Sequence, residues 1–246
     1  MHRRAYFSRI VQSTVEPPIS QLMQTALTNP DLISLAAGFV DQSTLPVDIV
    51  RQSLTDLLGR PHEARRALQY GTTIGDTGLR RSVLRRLEVE EGLKEDSLGT
   101  LMSRTIVTTG SQQLLYLVAE ALLDPGDIVL VESPSYFVFL GVLQSRGARM
   151  IGVDIDDGGM RLDSLEARLV EIEKRGELER VKLIYTVSEH GNPSGLSLEE
   201  SRRGPLVELV RSWSRHHPIF ILEDAAYRGL TYGESEPRSV WSHDPS

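Results

Sequence analysis

Cysteine is absent from all 246 residues. That excludes disulfides, thiolate metal sites and cysteine nucleophiles, and it suits a reducing cytoplasm. Lysine is almost as scarce, with only Lys94, Lys174 and Lys182. Positive charge is in deficit overall, the formal net charge being −7. A nucleic-acid partner is therefore not expected, because a phosphate backbone needs clustered Lys and Arg. No apolar run approaches the length of a membrane span, so no membrane partner is expected. The basic start "MHRRAYFSRIVQ" lacks the apolar core of a signal peptide. Six histidines show no ligand spacing, and the adjacent His216 and His217 read as a solvated turn before Pro218, so no metal site is expected. Repeats and low-complexity tracts are missing too. What remains is 40% hydrophobic and 25% charged, the composition of a globular protein with one large domain, or one and part of another.

The first 60 residues hold short helical stretches interrupted by proline, among them "ISQLMQTALT" and "VDIVRQSLTDLLGR". From about residue 76 the pattern becomes alternating. Amphipathic "TGLRRSVLRRLEVEEG" leads into "RTIVTTG" (104–110), a β-branched run that predicts a strand ending in glycine. "SQQLLYLVAEALL" (111–123) predicts a helix with Ser111 at its start. Further strands are predicted at 128–134, 148–156, 180–187 and 218–224, with helices over 135–146, 162–175 and 199–216. Five apolar strands separated by helices imply an α/β fold with a parallel sheet covered on both faces. Ligands in such folds gather beyond the carboxyl ends of the strands.

The residues at those ends therefore matter most. Gly110, Ser111 and Gln112 open a helix, where free N–H groups favour an anion or simply form a cap. Tyr136 could cover a planar ligand or pack. Asn192 could donate to a ligand oxygen or shape its turn. Asp224 ends the last strand, three residues before Tyr227. A carboxylate at a semi-buried strand end requires a cation, either an arginine or a protonated ring nitrogen on a ligand. Taken together, the four pieces fit a phosphorylated, planar, pyridine-like cofactor.

Seven stretches in order sharpen this: "FSRIVQ" (7–12), "ISLAAG" (33–38), "LQYGTTIGDTGLR" (68–80), "VTTGSQQ" (107–113), "VESPSY" (131–136), "GNPSG" (191–195) and "EDAAYRGL" (223–230). Together they resemble the pyridoxal-phosphate-dependent aminotransferases of class I/II, fold type I, near the branch of 2-aminoadipate and kynurenine aminotransferases. The resemblance implies a three-layer α/β sandwich holding five of that family's seven strands. It assigns residues 1–60 to a small-domain segment and substrate loop, and 61–246 to a large domain that binds pyridoxal 5'-phosphate. The implied reaction transfers an amino group between an amino acid and a 2-oxo acid. Asp224 would bind the pyridinium nitrogen, Tyr227 and Asn192 the phenolic oxygen, and Tyr136 would stack on the ring. Gly110, Ser111 and Gln112 would hold the phosphate. Tyr70 would reach that phosphate across the interface of a homodimer, and Gly38 would lie near the substrate carboxylate.

The sequence also departs from that family. Its Schiff-base lysine stands in a Ser-x-x-Lys segment beyond the Asp-x-x-Tyr run, after a further helix and strand. Such a crossover needs roughly 30 residues, and only 22 follow Asp224. None of the three lysines occupies that position, so no catalytic residue is assigned. The expectation is a stretch cut short before the lysine, inactive alone and binding the cofactor noncovalently. The alternative is a lysine-free, noncatalytic protein of the same fold, acting as a cofactor-binding or interaction module. Either way, "RTIVTTG" and "PIFILED" are expected to present unpaired sheet edges. The tail "TYGESEPRSVWSHDPS" is expected to be an interrupted connection. Ser188 and Gly191, where such enzymes often have Pro and Gln, leave the amino donor open.

Overall fold

Each apolar run in the second half of the chain must find partners for its backbone N–H and C=O groups. In the computed structural model they do so as one sheet. It describes residues 6–14, 18–29, 31–33, 40–93, 98–232 and 237–244. Gly38 and Lys94 lie outside the described residues. The strands are β1 (Ile128–Ser133), β2 (Arg149–Asp156), β3 (Gly159–Met160), β4 (Val181–Val187) and β5 (Phe220–Asp224). Their order is β3-β2-β1-β4-β5, parallel throughout except for β3, which runs antiparallel to β2.

Ten α-helices are described: α1 (Arg9–Ser13), α2 (Pro18–Thr28), α3 (Val47–Leu58), α4 (Pro61–Ala67), α5 (Thr77–Glu91), α6 (Leu98–Ser103), α7 (Ser111–Leu122), α8 (Phe137–Ser145), α9 (Leu162–Lys174) and α10 (Glu200–Trp213). Two compact units divide the chain. One comprises residues 16–80 with 105–107, and the other comprises 1–15, 81–104 and 108–246. In the smaller unit α3 and α4 bury none of their residues, and Val47, Val50, Leu54 and Leu58 are exposed.

In the larger unit the sheet has a core on each face, as continuous apolar strands require. Val129 and Val131 of β1 pack with Leu183 and Tyr185 of β4 under α7 and α8. Ile128, Leu130 and Ile184 face the other way, against Leu165 and Leu169 of α9 and Leu206 and Val210 of α10. Because β1 connects outward to β2 while β4 connects the opposite way to β5, the strand order reverses between β1 and β4. In open α/β sheets that point is where a crevice opens. The α/β sandwich read from the sequence is the architecture found.

Two strands differ from expectation. No strand forms at 104–110. A β-branched run becomes a strand only beside a partner, and here the Val107 N–H goes to the Ile74 carbonyl instead, at 3.0 Å. The fifth strand is β3, set by a two-residue turn at Asp157-Gly158 that pairs Asp156 with Gly159. Gly159 has φ +84°, and a Cβ there would stand 2.9 Å from the Leu198 Cα. We expect Gly159→Ala to lower stability by roughly 1–2 kcal/mol from the backbone conformation alone, read as a shift in the urea unfolding midpoint. An unchanged midpoint would show that the turn relaxes at no cost. β5 is the terminal strand, as expected for "PIFILED". The tail is docked where it is described. Val240 and Trp241 donate their N–H groups to the two Glu223 oxygens at 2.9 and 3.0 Å, and Ser239 donates to Glu91 at 3.0 Å.

Candidate functional site

A strand alternates its side chains, so neighbouring acids at the end of β5 must point to opposite faces. Glu223 turns toward the tail. Asp224 turns to the α7 and α8 side and lies 92% buried, its remaining exposure being 8%. There it lines a cleft of about 80 Å³ with Ser111, Tyr136, Val187, Asn192, Ala226 and Tyr227. Four separated stretches meet at this point: the start of α7, the residues after β1, the end of β4 with the loop after it, and the end of β5 with its turn. Of the expected site residues, the structure gathers Ser111, Tyr136, Asn192, Asp224 and Tyr227. Tyr70 is 99% exposed in the smaller unit and is not among the lining residues.

The Asp224 oxygens are met by neutral donors. Oδ2 accepts the Tyr185 hydroxyl at 2.8 Å, and Oδ1 accepts the Ala226 N–H at 3.1 Å. Among the described residues no cation pairs with this carboxylate, so its remaining lone pairs are open to a donor from the cleft. Burial, with the Asp224 charge added, pushes the Tyr185 phenol above its ordinary range, so Tyr185 remains a donor. Burial likewise raises the Tyr136 phenol, helped by Tyr227 and Asp224. Across the cleft the Asn192 amide stands 3.5 Å from the Tyr227 hydroxyl, too far for a strong bond. Two donors so placed can converge on one ligand oxygen.

Gly110 is the residue that precedes the first turn of α7; its φ of +82° favours glycine, and no side chain caps the helix. The Ser111 expected at the start is the first helical residue rather than the cap. Open space surrounds the position of a Gly110 Cβ, and the Gln112 Oε1 is buried with no partner. An uncapped twelve-residue helix with bare N–H groups is suited to an anion. The residues present thus fit a flat, phosphorylated ring bearing a cationic nitrogen and an anionic oxygen. The two lysines among the described residues lie elsewhere. Lys182 donates to the Glu179 carbonyl, and Lys174 sits near the end of α9.

Sequence reasoning missed three buried groups beside the site. Tyr185 lies inside the strand predicted at 180–187 and is not singled out by any motif. Glu132, at the end of β1, accepts the Thr186 hydroxyl at 2.5 Å and the Val187 N–H at 3.3 Å. Burial outweighs these bonds and pushes its carboxyl up to about 7. Arg203 of α10 is fully buried and holds the loop that carries Asn192, through Ser188 and Leu198.

Comparisons with known proteins show the family and the fold. The family model for aminotransferase class I and II matches residues 30–244. The chain is 35% identical to aromatic-amino-acid aminotransferase 1 of Thermococcus litoralis, covering 97% of this chain and 54% of that protein. It is 31% identical to the mitochondrial kynurenine/alpha-aminoadipate aminotransferase of Bos taurus, over 94% of this chain and 56% of the other. The crystal structure of Pyrococcus horikoshii kynurenine aminotransferase, solved in complex with PMP, superimposes with a TM-score of 0.84 at 30% identity. That match covers 99% of this chain and 56% of the other. The chain spans about half the length of the curated relatives it matches.

Proposed function

We propose, for a chain that belongs to the aminotransferase class I and II family, that it is the cofactor-binding portion of a pyridoxal-phosphate aminotransferase. The observation that carries this is Asp224, a buried carboxylate at a strand end met by neutral donors and facing a cleft. Pyridoxal 5'-phosphate, when bound, supplies an electron-poor ring that stabilises negative charge at an amino acid's α-carbon. The chain's part is to hold and orient. Asp224 accepts the ring N–H and favours its charged form. Asn192 and Tyr227 donate to the phenolic oxygen. Tyr136 covers one face of the ring, and Gly110, Ser111 and Gln112 present N–H groups to the phosphate.

The rest of the reading follows the family. Residues 1–60 would belong to the small domain and substrate loop, with Gly38 near the substrate carboxylate, and 61–246 to the large domain. Tyr70 would serve a neighbouring subunit's phosphate in a homodimer. The substrates are an amino acid and a 2-oxo acid, and the setting is the cytoplasm. Because neither described lysine lines the cleft, this stretch is expected to bind the cofactor noncovalently, which also suits the noncatalytic reading.

Titration of the purified chain with pyridoxal 5'-phosphate, followed by its visible absorbance, tests the proposal. Asp224→Ala is expected to weaken binding by roughly tenfold or more, the size of one hydrogen bond to a charged group. Borohydride treatment followed by peptide mass spectrometry should yield no single modified lysine. An Asp224→Ala protein that binds as tightly as the wild type would remove the assignment.

A further inference from the structure

We propose that Tyr185 is a positioning residue for the cofactor's ring nitrogen: its hydroxyl fixes the Asp224 carboxylate so that the free lone pairs face the cleft. The inference rests on the reading that this cleft holds pyridoxal phosphate.

Tyr185 lies in the middle of β4 with no exposed surface, so its ring packs as core. It stacks on Phe139 of α8 with centroids 4.5 Å apart and planes tilted by 51°. A phenol buried there needs a hydrogen-bond partner, since an unmet hydroxyl costs free energy. In the ladder Tyr185 stands opposite Leu222, and Val187 opposite Asp224. Tyr185 and Asp224 are therefore diagonal neighbours on one face, a separation that a long side chain spans and a short one does not. The 2.8 Å bond to Oδ2 is the result.

Together with the Ala226 N–H on Oδ1, that bond removes the freedom of the carboxylate to rotate. A carboxylate offers about four lone-pair sites, and the two protein donors occupy only two of them. The others remain for a ring N–H. Tyr185 itself does not line the cleft, so any effect it has on the cofactor must pass through Asp224.

That route makes the test selective. The Tyr185→Phe chain keeps the ring that packs on Phe139 and loses only the hydroxyl. Both it and the wild type are titrated with pyridoxal 5'-phosphate and with its deaza analogue, whose ring carries carbon in place of nitrogen. We expect Tyr185→Phe to weaken pyridoxal phosphate roughly tenfold, as for the loss of one hydrogen bond to a charged group, and to leave the analogue's affinity unchanged. Equal weakening of both ligands means a merely structural role and overturns the inference. So does an unchanged affinity for pyridoxal phosphate. If the wild type binds neither ligand, the proposed function falls and takes this inference with it. A second measurement needs no variant. The hydroxyl proton of Tyr185 in the wild-type chain should shift in the NMR spectrum on adding pyridoxal phosphate and stay put with the analogue. A resonance indifferent to both overturns the inference.

Discussion

Replacing Arg203 by methionine should unfold much of the population, lowering stability by about 3–5 kcal/mol, the range for breaking a buried ion pair from one side. The guanidinium has five N–H donors, and the structure gives each an acceptor. Nε and Nη2 share the Leu198 carbonyl at 3.0 and 2.8 Å, and Nη2 also reaches the Ser188 carbonyl at 3.1 Å. Nη1 bonds Glu189 and the Arg238 carbonyl, both at 2.9 Å. Glu223 stands 3.9 Å away as a second anion. Methionine matches the volume but takes the guanidinium donors from the Leu198 and Arg238 carbonyls, leaves the Ser188 carbonyl with only the Leu198 N–H, and leaves the buried Glu189 carboxylate with the Ser188 hydroxyl and no cation. Lysine should rescue little, because a single ammonium cannot reproduce the planar fork. Adding Glu189→Gln to Arg203→Met should recover only part of the loss, since only one of the five donors serves Glu189. Urea unfolding followed by circular dichroism reads all of these. A single variant within about 1 kcal/mol of the wild type would show that water reaches the site and replaces the guanidinium.

The same network shows what the sequence could and could not disclose. Runs such as "IVLVES" and "VKLIYTV" declare buried strands by composition, and the helices between them by period. The strand-end rule then picks out Tyr136, Asn192, Asp224 and Tyr227, which the fold does bring together. The failures have one cause. "RTIVTTG" is as β-branched as the true strands, yet strand formation depends on a neighbour, and the identity of a neighbour is not local information. Gly159–Met160 has only two residues, too few for any periodicity, although "DDGG" marks its turn. Tyr185 meets Asp224, and Glu132 meets Thr186, only through the register of β4 against β5 and β1. A slip of one residue would send each of these side chains to the other face. Arg203 looks in sequence like any cation on a solvated helix, and its burial follows from packing contributed by four separate segments.

Glu132 should make stability depend on pH in the direction opposite to most carboxylates. It is buried with a hydroxyl and an N–H as partners, and burial moves its carboxyl from the usual 4.5 to about 7. Between those two values the folded chain keeps a proton that the unfolded chain releases. Raising the pH through that window therefore drains stability, and below it the contribution is fully present. At about 1.4 kcal/mol for each pH unit, the loss is roughly 3 kcal/mol by pH 7. Glu132→Gln mimics the protonated acid, with its amide donating to Thr186 and its carbonyl accepting from Val187. It should match the wild type below pH 4.5 and exceed it by roughly 3 kcal/mol above pH 7. The difference between the two proteins cancels every other titrating group, so thermal or urea unfolding from pH 4 to 8 isolates Glu132. Parallel curves would mean that the carboxyl keeps its ordinary affinity for protons, hydrated from the open end of the sheet. A widening gap would place a charge-sensitive joint directly behind Val187, which lines the cleft. Cofactor added at saturation then separates two cases. If it raises both proteins equally at every pH, Glu132 acts on the scaffold alone. If the gain shrinks as Glu132 ionises, the ends of β1 and β4 transmit its charge to the site.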